Sequence, residues 1–529
     1  MILSLTQQTE YNNLIQQGET FFRQSQWQDS LAIYKKALMI YPVSVESLMK
    51  IGQIYQNTGQ IRKAILSFRR VIELQRDDTP LLIRGRLLEL EKKYVSWDTL
   101  RESFDFFKDE EILSYGELPP FLSLSNPLTN RQLQIVAQSY RKKNKNLTPK
   151  LYSFNFSDRF KNKEKLRIGF MCGDFKSHPT GYLLSEFFNL IDRNRFDLYL
   201  YDTHPEPDDP IHKRIYQTTQ NIVSIDQLND YDAAQQIFHD GIDVLIDLSG
   251  YTNFHRLGVM TYQPAVAQAT YSGFAGTLGG IPGIDYLLAD EYTIPPEQRC
   301  FYNEKIKYLT PSYRVMDRKQ ELPIAPLLRK HLHFDEDTIV LCCFNNSYKY
   351  TPNYFNLWVR ILKRVPKAIL WFYRQDVLTE TNIIKEFSQR GVADRIVFAD
   401  FMPHTEHLAR YQVADLFLDT EYYNAHTTGS EALFMGCPMI TCPGNTFPSR
   451  VGGTMLHAMQ LDELICNDIK AYEEKVVELC MTPGALKQLR EKVANKIKTS
   501  PLFDMDAFTR SFEQNCREMF EESLMNLKE

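Results

Sequence analysis

The stretch that decides the fold is an apolar run that leads through a turn of small residues into a helix. The run is ADLFLD at 414–419, the turn is NAHTTGSE at 424–431, and the helix continues with ALFM at 432–435. The first N–H groups of a helix have no partners inside it and carry a partial positive charge. This turn therefore predicts a site for a phosphate. A purely structural alternative is a capping box formed by Thr428 and Glu431.

Short apolar runs alternate with helix-like segments on both sides of this stretch. A first group lies at 166–171, 196–201, 243–248, 265–271 and 285–290, and a second group lies at 338–344, 368–373, 395–398, 415–418 and 439–441. Strands that alternate with helices predict parallel sheets covered on both faces. We therefore predict two Rossmann-like domains, at 164–320 and at 321–529 with closing C-terminal helices. A cleft should lie beside the carboxyl ends of their strands.

The N-terminal part of the chain carries an internal repeat with a period of 34 residues. The matching pairs within 11–78 are Leu14 and Leu48, Gly18 and Gly52, Phe21 and Tyr55, and Tyr34 and Phe68. This is the period of a tetratricopeptide repeat, in which small residues let two helices cross closely. We predict such repeats at 1–80, then a helical linker region at 81–163 that packs on the α/β part and includes a polar, basic surface segment at 142–165. The predicted fold class is α/β with an all-α N-terminal region.

Composition excludes several classes of protein. The length of 529 residues predicts two or three domains, and 43% hydrophobic content is ordinary for globular ones. A net charge of −5 argues against nucleic-acid binding, which favours a basic face. The nine cysteines contain no C-x-x-C pair, which argues against a zinc ribbon and indicates reduced thiols in the cytoplasm. We predict no signal peptide and no membrane-spanning segment.

Candidate binding side chains follow the predicted strands. Lys349 comes after the run at 338–344 and offers a point charge for a phosphate. His178 comes after the run at 166–171, and histidine is the side chain best suited to acid–base chemistry near neutral pH. The glycine turn at 273–277 either admits a ligand close to the backbone or only makes the turn.

His404 and His407 are three residues apart and are expected on one face of a helix. A zinc site is a weak interpretation, because no third ligand has a recognisable spacing. A neutral histidine that donates a hydrogen bond to a sugar or a base is the alternative. The D-x-D pairs at 230–232 and 504–506 do not follow a strand cleanly, so no metal site is predicted.

Taken together, these motifs resemble the O-GlcNAc transferase family, in which tetratricopeptide repeats precede a two-Rossmann glycosyltransferase of the GT-B type. The resemblance rests on GDF at 173–175, HPT at 178–180, GT at 276–277, CFNNSYK at 343–349, His407 with Arg410, ADLFLDT at 414–420, NAHTT at 424–428, PG at 443–444 and SRV at 449–451. It implies an inverting, metal-independent transferase that moves N-acetylglucosamine from UDP-GlcNAc to serine or threonine of protein acceptors. UDP-GlcNAc would be a co-substrate, and no cofactor is expected.

The resemblance also implies roles for single residues on the phosphate and ribose side. Lys349 would neutralise charge on the departing UDP. His426, Thr427 and Thr428 would bind its phosphates at the start of the helix. Glu431 stands where an aspartate usually holds the ribose hydroxyls, and it keeps the carboxylate with one more methylene.

On the nucleoside side, His407 and Arg410 would line the site. His404 stands where a lysine can contact the nucleotide, and Asn346 stands where a glutamine often occurs. All four are expected to contribute to UDP-sugar binding.

On the acceptor side, Gly276 and Thr277 belong to the motifs expected to bind the UDP-sugar. His178 would lie near the sugar and the acceptor, and it is the candidate general base, with a phosphate oxygen of the donor as the alternative. Tyr182 replaces a second histidine found in animal members. Two other functions stay open: transfer of another hexose, including transfer to asparagine as in related bacterial N-glucosyltransferases, and a non-catalytic scaffold that only binds nucleotide.

Overall fold

A computed structural model describes residues 3–150, 154–156, 163–322 and 327–526 of the chain. It divides into two compact units, Met1–Phe107 and Lys108–Glu529. The boundary between them lies inside the segment 81–163, because helices continue the first unit beyond its two sequence repeats.

The described part of the first unit is built from α-helices: α1 Leu5–Arg23, α2 Trp27–Ile40, α3 Val45–Asn57, α4 Ile61–Gln75, α5 Leu81–Lys93 and α6 Leu100–Phe106. A Cβ atom on Gly18 would lie 2.9 Å from the ring of Tyr34, and one on Gly52 would lie 2.4 Å from the ring of Phe68. Both glycines therefore allow an aromatic ring to fill the crossing between two helices, as the repeat predicts.

The turns between paired helices use the same backbone conformation in both repeats. Ser25 has φ 57° between α1 and α2, and Gly59 has φ 72° between α3 and α4. Glycine adopts this left-handed region without steric cost, whereas serine does so with strain. The first repeat thus keeps the turn even though it lacks the glycine.

The second unit contains two fully parallel sheets. The first sheet has the order β3-β2-β1-β4-β5-β6-β7, and the second has the order β10-β9-β8-β11-β12. The strands are β1 Leu166–Cys172, β2 Phe196–Asp202, β3 Asn221–Ser224, β4 Val244–Asp247, β5 Ala267–Thr270, β6 Tyr286–Ala289, β7 Lys305–Tyr308, β8 Ile339–Cys343, β9 Ala368–Tyr373, β10 Ile396–Ala399, β11 Leu416–Leu418 and β12 Met439–Ile440. Every predicted strand is present, and two further strands, β3 and β7, form the edges of the first sheet.

The helices of the second unit cover both sheets. They are α7 Glu110–Ser114, α8 Pro120–Ser123, α9 Asn130–Lys143, α10 Pro179–Leu190, α11 Pro210–Tyr216, α12 Asp230–His239, α13 Leu257–Met260, α14 Pro352–Arg364, α15 Val377–Ser388, α16 His404–Arg410, α17 Thr427–Phe434, α18 Val451–Ala458, α19 Ile469–Met481, α20 Ala485–Ile497 and α21 Met505–Asn526. Among the residues described, no helix combines the length and apolar character needed to cross a membrane.

The segment 142–165 is not simply a surface linker, contrary to the sequence interpretation. Leu147, Phe154 and Phe156 are buried, and the ring of Phe154 stacks on Phe238 of α12 with centroids 4.4 Å apart. These apolar side chains fix parts of the segment on the first Rossmann-like domain. Residues 151–153 and 157–162 of this segment lie outside the described residues.

The last helix of the chain, α21, returns to the first sheet. Phe512 stacks on Phe170 of β1 with ring centroids 5.7 Å apart, and the hydroxyls of Tyr286 and Ser523 lie 3.1 Å apart. Glu513 accepts a hydrogen bond of 2.7 Å from the backbone N–H of Asp192. The last helix of the chain, which follows all strands of the second sheet, therefore completes the core of the first domain.

The two α/β domains are joined by a buried polar seam. The Asp290 carboxylate, just after β6, accepts hydrogen bonds from the Thr454 hydroxyl of α18 at 2.6 Å and from the Tyr313 N–H at 2.9 Å. A buried carboxylate needs such partners, because its desolvation is otherwise costly.

Candidate active site

The decisive strand-to-helix unit is β11 followed by α17. His426 precedes the helix, and its side chain makes no capping hydrogen bond. Thr428 does not cap the helix either, since its hydroxyl donates to Oδ1 of Asn345 at 2.8 Å. The capping-box alternative is therefore wrong, because Thr428 is already the second helical residue. The start of α17 keeps free N–H groups at its first turn, as every α-helix does.

Lys349 lies in a short 3-10 turn after β8 and reaches toward the start of α17. It is only 8% exposed, and its Nζ donates to the backbone carbonyl of Asn424 at 2.9 Å. The same Nζ lies 4.4 Å from the centroid of the Tyr423 ring. One ammonium is thus held at the turn between β11 and α17 by a carbonyl and an aromatic face.

Asp419 is a buried carboxylate directly after β11, and its negative charge acts on the ammonium of Lys349. Its Oδ1 accepts from the N–H groups of Thr420 and Ala425 at 2.7 and 2.6 Å, and its Oδ2 accepts from the Thr441 hydroxyl at 2.7 Å. Both oxygens are therefore engaged in shaping the turn. The negative charge of Asp419 raises the pKa of Lys349 electrostatically. The two described side chains do not form an ion pair of 4 Å or less.

Burial sets the ionisation of this pair. Burial lowers the pKa of Lys349 to about 7, and the charge of Asp419 opposes that shift. Burial likewise raises the pKa of Asp419, while the hydrogen bonds from Thr441 and the backbone work against it. A ligand that brings negative charge would favour the ammonium form of Lys349.

Arg314 brings a second cation to the start of α17. Its guanidinium Nη2 donates to the hydroxyl of Thr427 at 3.2 Å, and the residue is 5% exposed. Burial is the main reason why the pKa of His426 is lowered, and the positive charges of Lys349 and Arg314 lower it further. His426 is therefore neutral near pH 7, and its Nε2 lies 3.3 Å from the carbonyl of Pro448.

Glu431, on the second turn of α17, lies between two histidines of α16. Its carboxylate oxygens are 3.8 Å from Nδ1 of His404 and 3.7 Å from Nε2 of His407. The Tyr411 hydroxyl donates to Glu431 at 3.4 Å. Burial lowers the pKa of His404, although the charge of Glu431 opposes this. The structure thus groups two of the predicted nucleoside-side residues, His404 and His407, around the carboxylate of Glu431.

Arg410 contacts this group through His407. It is almost fully buried, its Nη1 lies 3.3 Å from Nδ1 of His407, and its Nη2 donates to the backbone carbonyl of Asp400. Its contacts fix the ring of His407, so that it acts on the site through that histidine. Asn346, by contrast, is exposed in the turn that leads to Lys349.

Helix α10 of the first domain reaches the same region. The ring of Tyr182 stacks on His404 with centroids 3.7 Å apart and planes within 10°. The Tyr182 N–H donates to the carbonyl of His178 at 2.9 Å, so His178 lies one turn away, at the start of α10. The His178 side chain is 42% exposed, and its Nδ1 is 3.5 Å from Oδ2 of Asp174. Burial lowers the pKa of His178 despite that carboxylate.

Gly276 and Thr277 lie elsewhere on the seam. They line a cavity of about 10 Å³ together with Pro448, which also contacts His426. The Thr277 hydroxyl donates to Glu304 at 2.7 Å, so protein groups already occupy it. Their predicted contact with the UDP-sugar stays a prediction.

Three polar residues around α17 were not among the sequence candidates. Arg314 lies in the segment between the domains, where no motif surrounds it. Asn345 and Asp419 belong to quoted motifs, and burial separates them from their exposed neighbours such as Asn346. The sequence signal that could have identified Asn345 and Asp419 is their position directly after a buried strand. Among the described residues, no cluster of three or more His, Cys, Asp or Glu forms a candidate metal site.

Two Rossmann-like domains with a cationic helix start at their seam define a fold of the GT-B class. The chain belongs to glycosyl transferase family 41, whose profile matches residues 118–327 and 324–512. A tetratricopeptide repeat profile matches residues 45–78, which confirms the repeat at α3 and α4.

Two curated relatives match about two thirds of the chain. An Arabidopsis thaliana protein, named probable UDP-N-acetylglucosamine–peptide N-acetylglucosaminyltransferase SEC, is 33% identical over 364 residues, which are 68% of this chain and 37% of the relative. The Caenorhabditis elegans UDP-N-acetylglucosamine–peptide N-acetylglucosaminyltransferase is 25% identical over 486 residues, covering 70% of this chain and 42% of the relative. The chain spans about two fifths of the length of these relatives.

A solved structure of a mutant O-GlcNAc transferase from Thermobaculum terrenum has the same fold. It superposes with a TM-score of 0.75 at 24% sequence identity, and the match covers 99% of this chain and 100% of that one. This likeness confirms the predicted order of helical repeats followed by a GT-B pair of domains.

Proposed function

We propose that the protein is an inverting, metal-independent glycosyltransferase that moves N-acetylglucosamine from UDP-GlcNAc to serine or threonine hydroxyls of protein acceptors. The bond between the anomeric carbon and the β-phosphate oxygen breaks, and the acceptor oxygen bonds to the opposite face of that carbon. The hydroxyl proton passes to a base, and UDP leaves with the bonding electrons. The names of the relatives support this donor and acceptor. Nine free cysteines are consistent with a cytoplasmic location.

The observation that carries the proposal is the buried ammonium of Lys349 at the start of α17. A diphosphate leaving group needs positive charge and N–H donors where its negative charge grows. Lys349 supplies the charge, and the first turn of α17 at Thr427 and Thr428 supplies the donors. Asp419 holds the turn but uses its oxygens on other donors, so the ammonium stays available to a phosphate.

The nucleoside binds beside Glu431 in this proposal. The carboxylate accepts hydrogen bonds from the ribose hydroxyls, and His404 and His407 enclose it at 3.8 and 3.7 Å. Arg410 orients His407. The role of Glu431 fits its geometry, since the carboxylate faces these side chains rather than the N–H groups of its own helix.

His178 is the proposed general base. Its Nδ1 accepts a hydrogen bond of 3.4 Å from the backbone N–H of Thr180 and lies 3.5 Å from Oδ2 of Asp174, and its lowered pKa keeps the ring neutral near pH 7. A phosphate oxygen of the donor is the alternative base. Replacement of His178 by alanine separates the two, because the phosphate alternative leaves the chemical step in that variant intact.

The test uses the full chain with three donors, UDP-GlcNAc, UDP-glucose and UDP-galactose, in the presence of EDTA. UDP release and labelling of lysate proteins are followed, and the labelled side chain is identified. We expect transfer from UDP-GlcNAc to serine or threonine. Preference for another donor, or label on asparagine, would favour the hexosyltransferase alternative. Absence of transfer from all three donors would refute the proposal that the protein is an enzyme. Strict dependence on added Mg²⁺ or Mn²⁺ would refute the metal-independent mechanism.

A further inference from the structure

Arg314 is a buried cation that forms no ion pair of 4 Å or less with a carboxylate among the residues that the structure describes. The residue is 5% exposed, and its Nε has no hydrogen-bond partner within the described part of the chain. A side-chain hydrogen bond runs from its Nη2 to the uncharged hydroxyl of Thr427. A buried charge is costly unless it is paired, so such a guanidinium indicates a missing anion.

The position of Arg314 shows what kind of anion fits. Thr427 is the first residue of α17, an eight-residue helix whose N-terminus favours negative charge. Lys349 is close enough for the charge of Arg314 to help lower its pKa, although burial is the larger cause. Two buried cations therefore contact the turn and the first residue of α17, Lys349 at the Asn424 carbonyl and Arg314 at the Thr427 hydroxyl. The charge of Asp419 opposes the lowering of the Lys349 pKa.

We propose that Arg314 binds the diphosphate of the sugar nucleotide, as a second cation beside Lys349. The inference rests on the proposed function, because it takes a nucleoside diphosphate as the ligand. A guanidinium suits this task, since its planar fork donates to two phosphate oxygens at once. Arg314 then stabilises the negative charge that grows on departing UDP. It also explains how a site without a metal neutralises more than one negative charge.

The test compares UDP with uridine as probes of the full chain. Arg314→Gln is expected to weaken UDP binding at least about tenfold and to leave uridine binding unchanged, because only UDP carries phosphates. Calorimetry or competition gives both dissociation constants. Arg256→Gln is the matched control, since Arg256 is satisfied by Asp230 and by the carbonyls of Ile225 and Leu228. This control should keep wild-type UDP binding.

Thermal unfolding distinguishes an Arg314 that binds phosphate from one that only connects the two domains. The two roles predict opposite changes in the melting temperature when Arg314 is replaced. Removal of an unpaired buried charge should raise the melting temperature of the ligand-free Arg314→Gln protein, or leave it unchanged, and should shrink the rise produced by UDP. Arg256→Gln should lower the ligand-free melting temperature and keep the rise. If Arg314→Gln does not fold, Arg314→Lys carries the test, with weakened UDP binding and unchanged uridine binding expected.

Three results would overturn the inference: wild-type UDP affinity in the variant, equal losses for UDP and uridine, or a lowered melting temperature with an unchanged UDP effect. The last two results would indicate that Arg314 serves to hold the two α/β domains together. Failure of the proposed function looks different, because the wild-type protein would then bind UDP but transfer no sugar. If the wild-type protein does not bind UDP, both proposals are refuted.

Discussion

Lys349 is the side chain on which the proposed chemistry depends, because it holds a buried positive charge where a diphosphate would leave. Lys349→Met should lower sugar transfer at least about 100-fold, since it removes a charge aimed at the growing negative charge of UDP. UDP release measures turnover, and circular dichroism with thermal unfolding checks the fold.

The control for this variant is Lys367→Met, which removes an exposed lysine of the same domain that pairs with Asp337. Its turnover should match the wild type. Near-normal turnover in Lys349→Met would refute the leaving-group role.

The ionisation of Lys349 gives a pH prediction. Burial places its pKa at about 7 in the ligand-free protein, and the negative charge of UDP should raise it. UDP binding above this pKa must then take up a proton, so affinity falls as the pH rises. At about pH 8 we expect uptake of roughly half to one proton per UDP. Calorimetry in two buffers of different ionisation enthalpy measures it. An unchanged uptake in Lys349→Met would assign the proton to another group.

Sequence motifs led to some of the side chains that the structure groups around α17, but not to all of them. His404, His407 and Glu431 were proposed from the sequence and lie together. Arg314 comes from a connecting segment, and only the tertiary fold brings it to Thr427. The clustering of side chains from distant segments is a property of packing, which local spacing does not contain.

At the scale of single elements, the first unit depends on glycines that let helices cross. Gly52→Ala should destabilise this unit by about 1–3 kcal/mol, because the new Cβ overlaps the buried ring of Phe68. Alanine favours a helix over glycine by about 1 kcal/mol, so a loss of stability shows that packing dominates. Urea unfolding measures the change.

The companion variant Gly52→Ala with Phe68→Leu removes part of the ring that the new methyl group meets. It should be less unstable than the two single changes predict when added. Simple additivity would mean that the crossing at Gly52 is not the source of the loss.

The edge strands of the first sheet show where element prediction from sequence ends. The central strands were predicted because they are apolar runs, as in β4, where all residues are buried. The edge strands Asn221–Ser224 and Lys305–Tyr308 are partly exposed throughout, and they include charged or polar residues. Their strand conformation comes from pairing with a neighbour, which an apolar pattern does not report.

At the scale of the whole second unit, the seam at Asp290 links its two domains. Thr454→Val should lower the stability of this unit by about 1–3 kcal/mol, because it leaves a buried carboxylate short of a donor. Thr454→Ser keeps the hydroxyl and should retain most of the stability. Thermal unfolding with and without UDP measures both. Equal stability of the valine and serine variants would show that Asp290 does not depend on this bond.

Because α21 is the last helix of the chain, the first sheet is covered by it only at the end of synthesis. The first sheet is complete in sequence once β7 has left the ribosome, yet its face around Phe170 is covered by Phe512. That face stays open while the whole second domain is being made. Exposed apolar sheet surface makes nascent chains prone to aggregation, so this interval is when the protein most needs a chaperone. A ribosome-bound chain that stops before Met505 should therefore be more sensitive to protease than the finished protein.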